Sequence, residues 1–228
     1  MGLGRFRKYR LDGMPISAVT PSIRGAKSMK NNQMAWLFAM LASILLFGCG
    51  ESTPAKPQFL STDITGVAYA KNFDLTDHNG KRRTLADFRG KVVIMFFGYT
   101  HCPDVCPTTL SDMSIALKQL GNEASKVQVL FVTVDPARDK PALLAQYVPA
   151  FYPTFLGLYG TDSEIANTAK EFKVFYQKHE SGSREGYSVD HSAGSYVFDP
   201  QGRVRLYMAY GAAPGTIVHD ISLLLNGK

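Results

Sequence analysis

Cysteine is scarce in this chain of 228 residues: there are three, and Cys49 lies far from the other two. A disulfide-stapled mini-domain needs more bridges than that, so the fold must rest on a hydrophobic core. Tryptophan is scarcer still, with Trp36 alone and none after it. Charge imbalance is absent from most of the chain. Seven of the 25 Lys and Arg residues and one of the 19 acids fall in residues 1–48, leaving 18 of each sign from residue 49 onward. The formal charge of +6 belongs to the first 48 residues, so a nucleic-acid partner has no electrostatic footprint in the rest. Nor is there an apolar run of the roughly 20 residues that a bilayer-spanning helix needs. Internal repeats and low-complexity stretches are likewise missing.

What is there begins with Met34–Gly48, "MAWLFAMLASILLFG", an uncharged run preceded by Lys27 and Lys30. Its length and flanks suit the core of an export signal. The run closes on "LFGC", Leu46–Cys49, which resembles the lipobox of bacterial lipoproteins. In that family the signal is removed before the cysteine, so the resemblance implies lipidation at Cys49. An uncleaved N-terminal anchor is the alternative. Both place the rest of the chain outside the cytoplasm, at the face of a bacterial membrane. Several acyl chains would hold it firmly, whereas one gives only marginal binding. Met29 opens a compact signal of its own, "MKNNQMAWLFAMLASILLFGC", and is a second candidate start. The expected organisation is a leader over residues 1–48, a tether over 49–61 with Pro54 and Pro57, and one domain over 62–228.

Within that domain, "KVVIMFFGY" (91–99) and "VQVLFVTV" (127–134) are nearly continuous apolar runs, as expected of strands buried on both faces. Asn79-Gly80 marks a hairpin ahead of them, and Asp199–Gly202 marks another near the end. Leu110, Met113, Leu117 and Leu120 recur at helical spacing up to Gly121. Asp139 is placed to cap a second helix carrying Leu143, Leu144, Tyr147, Val148 and Phe151. Thr161 and Glu164 form a capping-box pattern for a third. Pro214 opens a last helix with Ile217, Val218, Ile221, Leu224 and Leu225 inward. This order predicts an α/β domain with a central, mostly parallel sheet, helices on both faces and an N-terminal hairpin.

The stretch "FFGYTHCPDVCPTTL" (96–110) sets Cys102 and Cys106 four apart, where a strand runs in and a helix leaves. So short a loop restrains little of an unfolded chain, which leaves chemistry as the reason for the pair. A helix N-terminus stabilises thiolate, the form that attacks and the form that binds metal. Pro107 fits the first helical turn, which puts Cys106 at the cap and Cys102 on the loop before it. On a regular helix, residues four apart have Cβ atoms about 5–6 Å apart, wider than the roughly 3.8 Å of a disulfide. A metal bridging two sulfurs at about 2.3 Å each tolerates that gap. The pair leans toward a metal and still permits redox work. Among the histidines, His78, His179 and His219 read as surface residues, and His101 as turned away from Cys102. His191, in "YSVDHSAGSYVFDP", sits in a loop entering an apolar strand and is as readily a buried structural histidine as a ligand. Methionine ligands are not expected: residues 1, 14, 29, 34 and 40 lie in the leader, and Met95, Met113 and Met208 fall in core-like patterns.

Three stretches, "FFGYTHCPDVCPTTL", "VTVDPARD" and "VDHSAGSYVFDPQGR", resemble in order and separation the signature segments of the Sco/SenC family. The resemblance covers nearly all of residues 62–228. It implies a thioredoxin-like fold and one copper ion held by Cys102, Cys106 and His191. It also implies a copper chaperone for the binuclear centre of cytochrome c oxidase, with that oxidase's copper-site subunit or another copper protein as partner. The chemistry agrees, since two thiolates select soft Cu(I) and an imidazole completes a site that takes Cu(II) with one further ligand. Asp135 and Asp139 match the second segment without an assigned role, and a helix cap and a solvated loop are the expectation. A thiol–disulfide oxidoreductase using Cys102 and Cys106 as a redox pair is the first alternative. Typical thioredoxins resemble W-C-x-x-C, however, and here three residues separate the cysteines and His101 replaces the tryptophan. "DVCPTT" also resembles the peroxidatic segment of peroxiredoxins, although Pro103 stands where their threonine would be. A copper sensor or store is the last alternative.

Overall fold

The computed structural model describes residues 58–180 and 186–228. The leader, Met29 and Cys49 lie outside the described residues. The chain enters the domain through β1 (Thr62–Asp63) and forms the Asn79-Gly80 hairpin from β2 (Asp74–Asp77) and β3 (Arg82–Thr84). Gly80 takes φ +84, and the buried Asp77 carboxylate accepts the Asn79 and Lys81 N–H groups, which closes the turn. There follow β4 (Val92–Gly98), α1 (Val105–Leu120), β5 (Val127–Thr133), α2 (Pro141–Phe151), β6 (Leu156–Tyr159) and α3 (Asp162–Glu171). Last come β7 (Tyr176–Glu180), β8 (Tyr187–His191), β9 (Ser195–Phe198), β10 (Val204–Met208) and α4 (Pro214–Leu225).

Eight strands form one sheet in the order β1-β10-β9-β4-β5-β6-β2-β3. Its centre, β4 with β5 and β5 with β6, is parallel, and antiparallel strands flank it on either side. Every residue of β4 and β5 is buried because the pleat sends alternate side chains into two separate cores. Val92, Ile94 and Phe96 pack with α1, α2 and α4; Val93, Met95 and Phe97 pack with α3 and the N-terminal hairpin. Helices therefore cover both faces. Among the described residues no helix is long and apolar enough to cross a membrane.

Several local expectations give way to tertiary contacts. Asp139 does not cap α2; Lys140 holds that position, and the Asp139 side chain turns inward. Cys106 lies one residue inside α1, whose N-cap is Asp104, and begins the buried stripe Cys106, Leu110, Met113 and Leu117. His78 is half-buried rather than a surface residue: Nδ1 accepts the Gly157 N–H at 3.0 Å, and burial holds its pKa below the usual histidine value. β7 and β8 form a two-stranded antiparallel sheet of their own, so His179 is in a strand and His191 ends one. Their exposed, polar residues carry little apolar signal.

Candidate metal centre

The C-terminal end of β4 is where the fold delivers its sulfurs. From Gly98 the chain turns through Tyr99, whose carbonyl accepts the Cys102 N–H at 3.3 Å, and enters α1 at Val105. Cys106 is buried because it opens the apolar stripe of α1, whereas Cys102, on the turn before it, is half-buried. Both thiols are free. From the other side β8 brings His191, whose Nε2 lies 3.5 Å from Cys106 Sγ. The ligand atoms of Cys102, Cys106 and His191 all lie within 4.8 Å of one another. Among the described residues this is the one group of three or more Cys, His, Asp or Glu side chains close enough to share a metal.

The imidazole is held in orientation by its neighbours. His191 Nδ1 stands 3.1 Å from the Ser192 carbonyl. A carbonyl can only accept, so a hydrogen bond there needs the hydrogen on Nδ1, and the neutral ring with that hydrogen presents the Nε2 lone pair that a metal requires. Tyr99 and Phe96 hold the ring edge-on, at centroid distances of 5.9 and 6.1 Å. Tyr147 adds a buried hydroxyl that has no hydrogen-bond partner among the described residues; burial, and then the negative charge that the cysteine pair carries, push its pKa up.

The sulfurs divide one charge and one proton unequally. A hydrogen bond from the Cys106 thiol, against the cost of burial and with help from the His191 ring and then from the Asp104 and Cys106 N–H groups, lowers the Cys102 pKa to about 3. The same hydrogen bond and burial push Cys106 up. Cys102 is thus a thiolate at neutral pH and Cys106 a thiol. In the metal-free protein, alkylation should label Cys102 and spare Cys106, at a rate nearly flat between about pH 5 and pH 8. Mass spectrometry after timed iodoacetamide exposure checks this. A rate rising about tenfold per pH unit would mean that Cys102 titrates as an ordinary thiol.

Gly98 is a site residue that carries no signal in the sequence. A Cβ built there would lie 2.6 Å from Cys106 Sγ, 2.9 Å from Phe131 Cε2 and 3.1 Å from Phe96 Cε1. The missing side chain at position 98 is the space that the sulfur occupies.

Of the other histidines, His101 points its Nδ1 at Thr100 Oγ1 (3.1 Å) and is not part of the group of three. His219 bonds Asp220, and His179 pairs with Asp190. Met95, Met113 and Met208 are buried in the packed layers. Asp135 and Asp139, expected in a solvated loop or at a cap, are fully buried. Burial raises the Asp139 pKa, against the hydrogen bonds from Thr100 and Thr133.

Two thiolates and an imidazole suit copper in either state: a trigonal site with bonds of about 2.0–2.3 Å needs donors about 4 Å apart. The group meets that with shifts of less than an ångström. The same cysteines are also near enough to oxidise to a disulfide after a larger movement, which their free state leaves open.

A family model described as SCO1/SenC matches residues 62–226. Among curated proteins, "Protein SCO2 homolog, mitochondrial" of Mus musculus is 39% identical over 152 residues, 66% of this chain and 60% of that protein. The chain covers only 50–60% of the length of this relative and its Bos taurus and Homo sapiens counterparts. Among solved structures, Bradyrhizobium japonicum ScoI with copper bound is 39% identical with a TM-score of 0.62, covering 68% of this chain and 98% of that one. BsSco, a member of the Sco family of cytochrome c oxidase assembly proteins in which a disulfide switch was identified, is 26% identical with a TM-score of 0.56. That likeness covers 74% of this chain and 99% of BsSco.

Proposed function

The chain belongs to the SCO1/SenC family, and from this we propose that it is a copper chaperone serving assembly of the cytochrome c oxidase copper centre. The observation that carries the proposal is the convergence of two sulfurs and an oriented imidazole Nε2 within 4.8 Å at one end of the sheet. The copper in the similar ScoI structure, and the oxidase-assembly role of BsSco, support it. When bound, copper would supply the cargo and a one-electron couple. The chain's part is to hold it. Cys102, half-exposed and already a thiolate, is the first donor that an incoming ion meets. Cys106 follows by giving up its proton, so loading releases that proton and is favoured as pH rises. His191 closes the set. Two thiolates leave a Cu(I) site at −1 and a Cu(II) site neutral, so neither state is badly uncompensated. Departure by ligand exchange starts from the half-exposed side of the site, where Cys102 and His191 lie, and not from the buried Cys106.

The apolar run ending in "LFGC" supports lipid attachment at Cys49 on the extracytoplasmic face of a bacterial membrane. The mouse relative is mitochondrial by name, so cell fractionation of wild type against Cys49→Ala is the direct test of the anchor. For the function itself, a deletion strain grown at low copper should lose most oxidase activity. It should regain that activity with the wild-type gene or with added copper, and not with a Cys102→Ser gene. Undiminished oxidase activity in the deletion strain would sink the proposal.

A second reading has its own support. A low-pKa, half-exposed thiolate beside a protonated partner is the arrangement of a dithiol reductant. Acting on partner cysteines, it would oxidise the Cys102–Cys106 pair to a disulfide while reducing theirs, with no need of His191. Disulfide reduction that survives His191→Ala, with copper binding unaffected by that change, would favour it.

A further inference from the structure

Resting on the copper reading, we propose that the loop between β5 and α2 is a strut joining both halves of the centre, with Asp139 a positioning residue for Cys102 and Arg138 one for His191. The loop starts rigidly. β5 ends beside Gly98, where Val134 N–H donates to the Gly98 carbonyl at 2.8 Å. Arg138 and Asp139 N–H groups then both donate to the Asp135 carbonyl, at 3.2 and 3.0 Å, closing the turn.

One end of the strut grips the cysteine turn. The Asp139 carboxylate accepts Thr100 N–H at 3.0 Å, Thr100 Oγ1 at 2.5 Å and Thr133 Oγ1 at 2.7 Å. Thr100 is two residues from Cys102, so the bond geometry at Asp139 sets where that sulfur sits.

The other end grips the histidine hairpin. Arg138 Nε donates to Asp135 Oδ2 at 2.5 Å, and Arg138 Nη1 donates to the Tyr187 carbonyl at 2.8 Å. Its guanidinium lies 3.7 Å from the Tyr187 ring centroid and 5.6 Å from that of Tyr99. Tyr187 O–H donates to the other Asp135 oxygen at 2.6 Å. Tyr187 opens β8 and His191 ends it, while the Tyr99 ring stands edge-on to the imidazole. Among the described residues, β7 and β8 pair with no strand of the main sheet. The hairpin's position therefore depends on side-chain ties, and Arg138 supplies a hydrogen bond and a stack. Buried charge is a costly way to gain stability alone, where apolar packing would serve as well or better. What the buried carboxylates and the half-buried guanidinium add is direction.

The test uses the full chain with copper as the probe, comparing Arg138→Lys and Asp139→Asn, each alone and combined with His191→Ala. Lysine keeps the charge of Arg138 and loses its planar fork and stack. Arg138→Lys should weaken Cu(II) about tenfold, in the range of lost outer-shell partners. It should also change the nitrogen hyperfine pattern in electron paramagnetic resonance. Cu(I), held mainly by the sulfurs, should move by less than about threefold, and in the His191→Ala background Arg138→Lys should add almost nothing. Asp139→Asn should weaken both states, with or without the histidine. The strut is overturned if Arg138→Lys weakens Cu(I) and Cu(II) alike, or keeps its full effect once His191 is gone. If Arg138→Lys does not fold by near-ultraviolet circular dichroism, Tyr187→Phe, which removes one hydrogen bond, carries the same expectation at smaller size. Wild type that fails to bind copper would instead overturn the copper reading.

Discussion

Cys106→Ser is expected to lower Cu(I) affinity by more than about a hundredfold, the upper end of what loss of an outer-shell partner costs. The sulfur is fully buried at the head of the α1 stripe and touches His191 Nε2 at 3.5 Å, so no neighbouring donor can replace it. A serine oxygen fits the space but is a hard donor, and soft Cu(I) is selected by thiolate. His191→Ala should behave differently. Two thiolates still hold Cu(I), whose affinity should fall by no more than about tenfold, whereas Cu(II), which wants the imidazole, should be lost from the site. Competition against Cu(I)- and Cu(II)-selective chelators separates the two. Equal losses from both substitutions in both oxidation states would mean that the three residues do not divide the work in this way.

Gly98→Ala is the second large effect, and it comes from geometry alone. A methyl group 2.6 Å from a sulfur cannot be accommodated without movement. β4 is hydrogen-bonded between β5 and β9 and buried on both faces, so the sulfur and the Phe131 ring must yield rather than the strand. Overpacking of this kind costs about 1–3 kcal/mol, readable in a urea midpoint. Displacing Cys106 should also weaken copper about tenfold, comparable to disturbing a ligand's support. A variant that is destabilised yet keeps full copper affinity would show that Gly98 serves packing and not the sulfur's seat.

What is legible in the sequence follows from which signals are local. β4 and β5 are visible as continuous apolar runs because both of their faces are covered. The Asn79-Gly80 turn and the Thr161–Glu164 capping box are legible because each closes within a few residues. Cys102 and Cys106 announce themselves by spacing. His191 is only half legible: its loop before an apolar strand sets it apart from the other histidines, but β8 is a short, partly exposed strand in a separate sheet, and only the family resemblance decides between ligand and buried structural residue. Asp139 reads as a cap in the sequence because its actual partners, Thr100 in the turn after β4 and Thr133 at the end of β5, are brought to it only by the fold. Gly98 was invisible for a similar reason, since the clearance it provides depends on how closely α1 approaches β4. Lone-pair donors can be guessed from residue type. The supports that aim them depend on tertiary contacts between distant segments.

X-ray absorption at the copper edge, on the reduced chain loaded with one equivalent of copper and on its His191→Ala variant, is the most direct measurement. The expected wild-type result is one copper per chain with two sulfur donors at about 2.3 Å and one nitrogen at about 2.0 Å, distances in the usual range for such donors. The nitrogen shell should vanish in the variant. A wild-type spectrum without paired sulfurs, or one unchanged by His191→Ala, would contradict a copper site built from Cys102, Cys106 and His191.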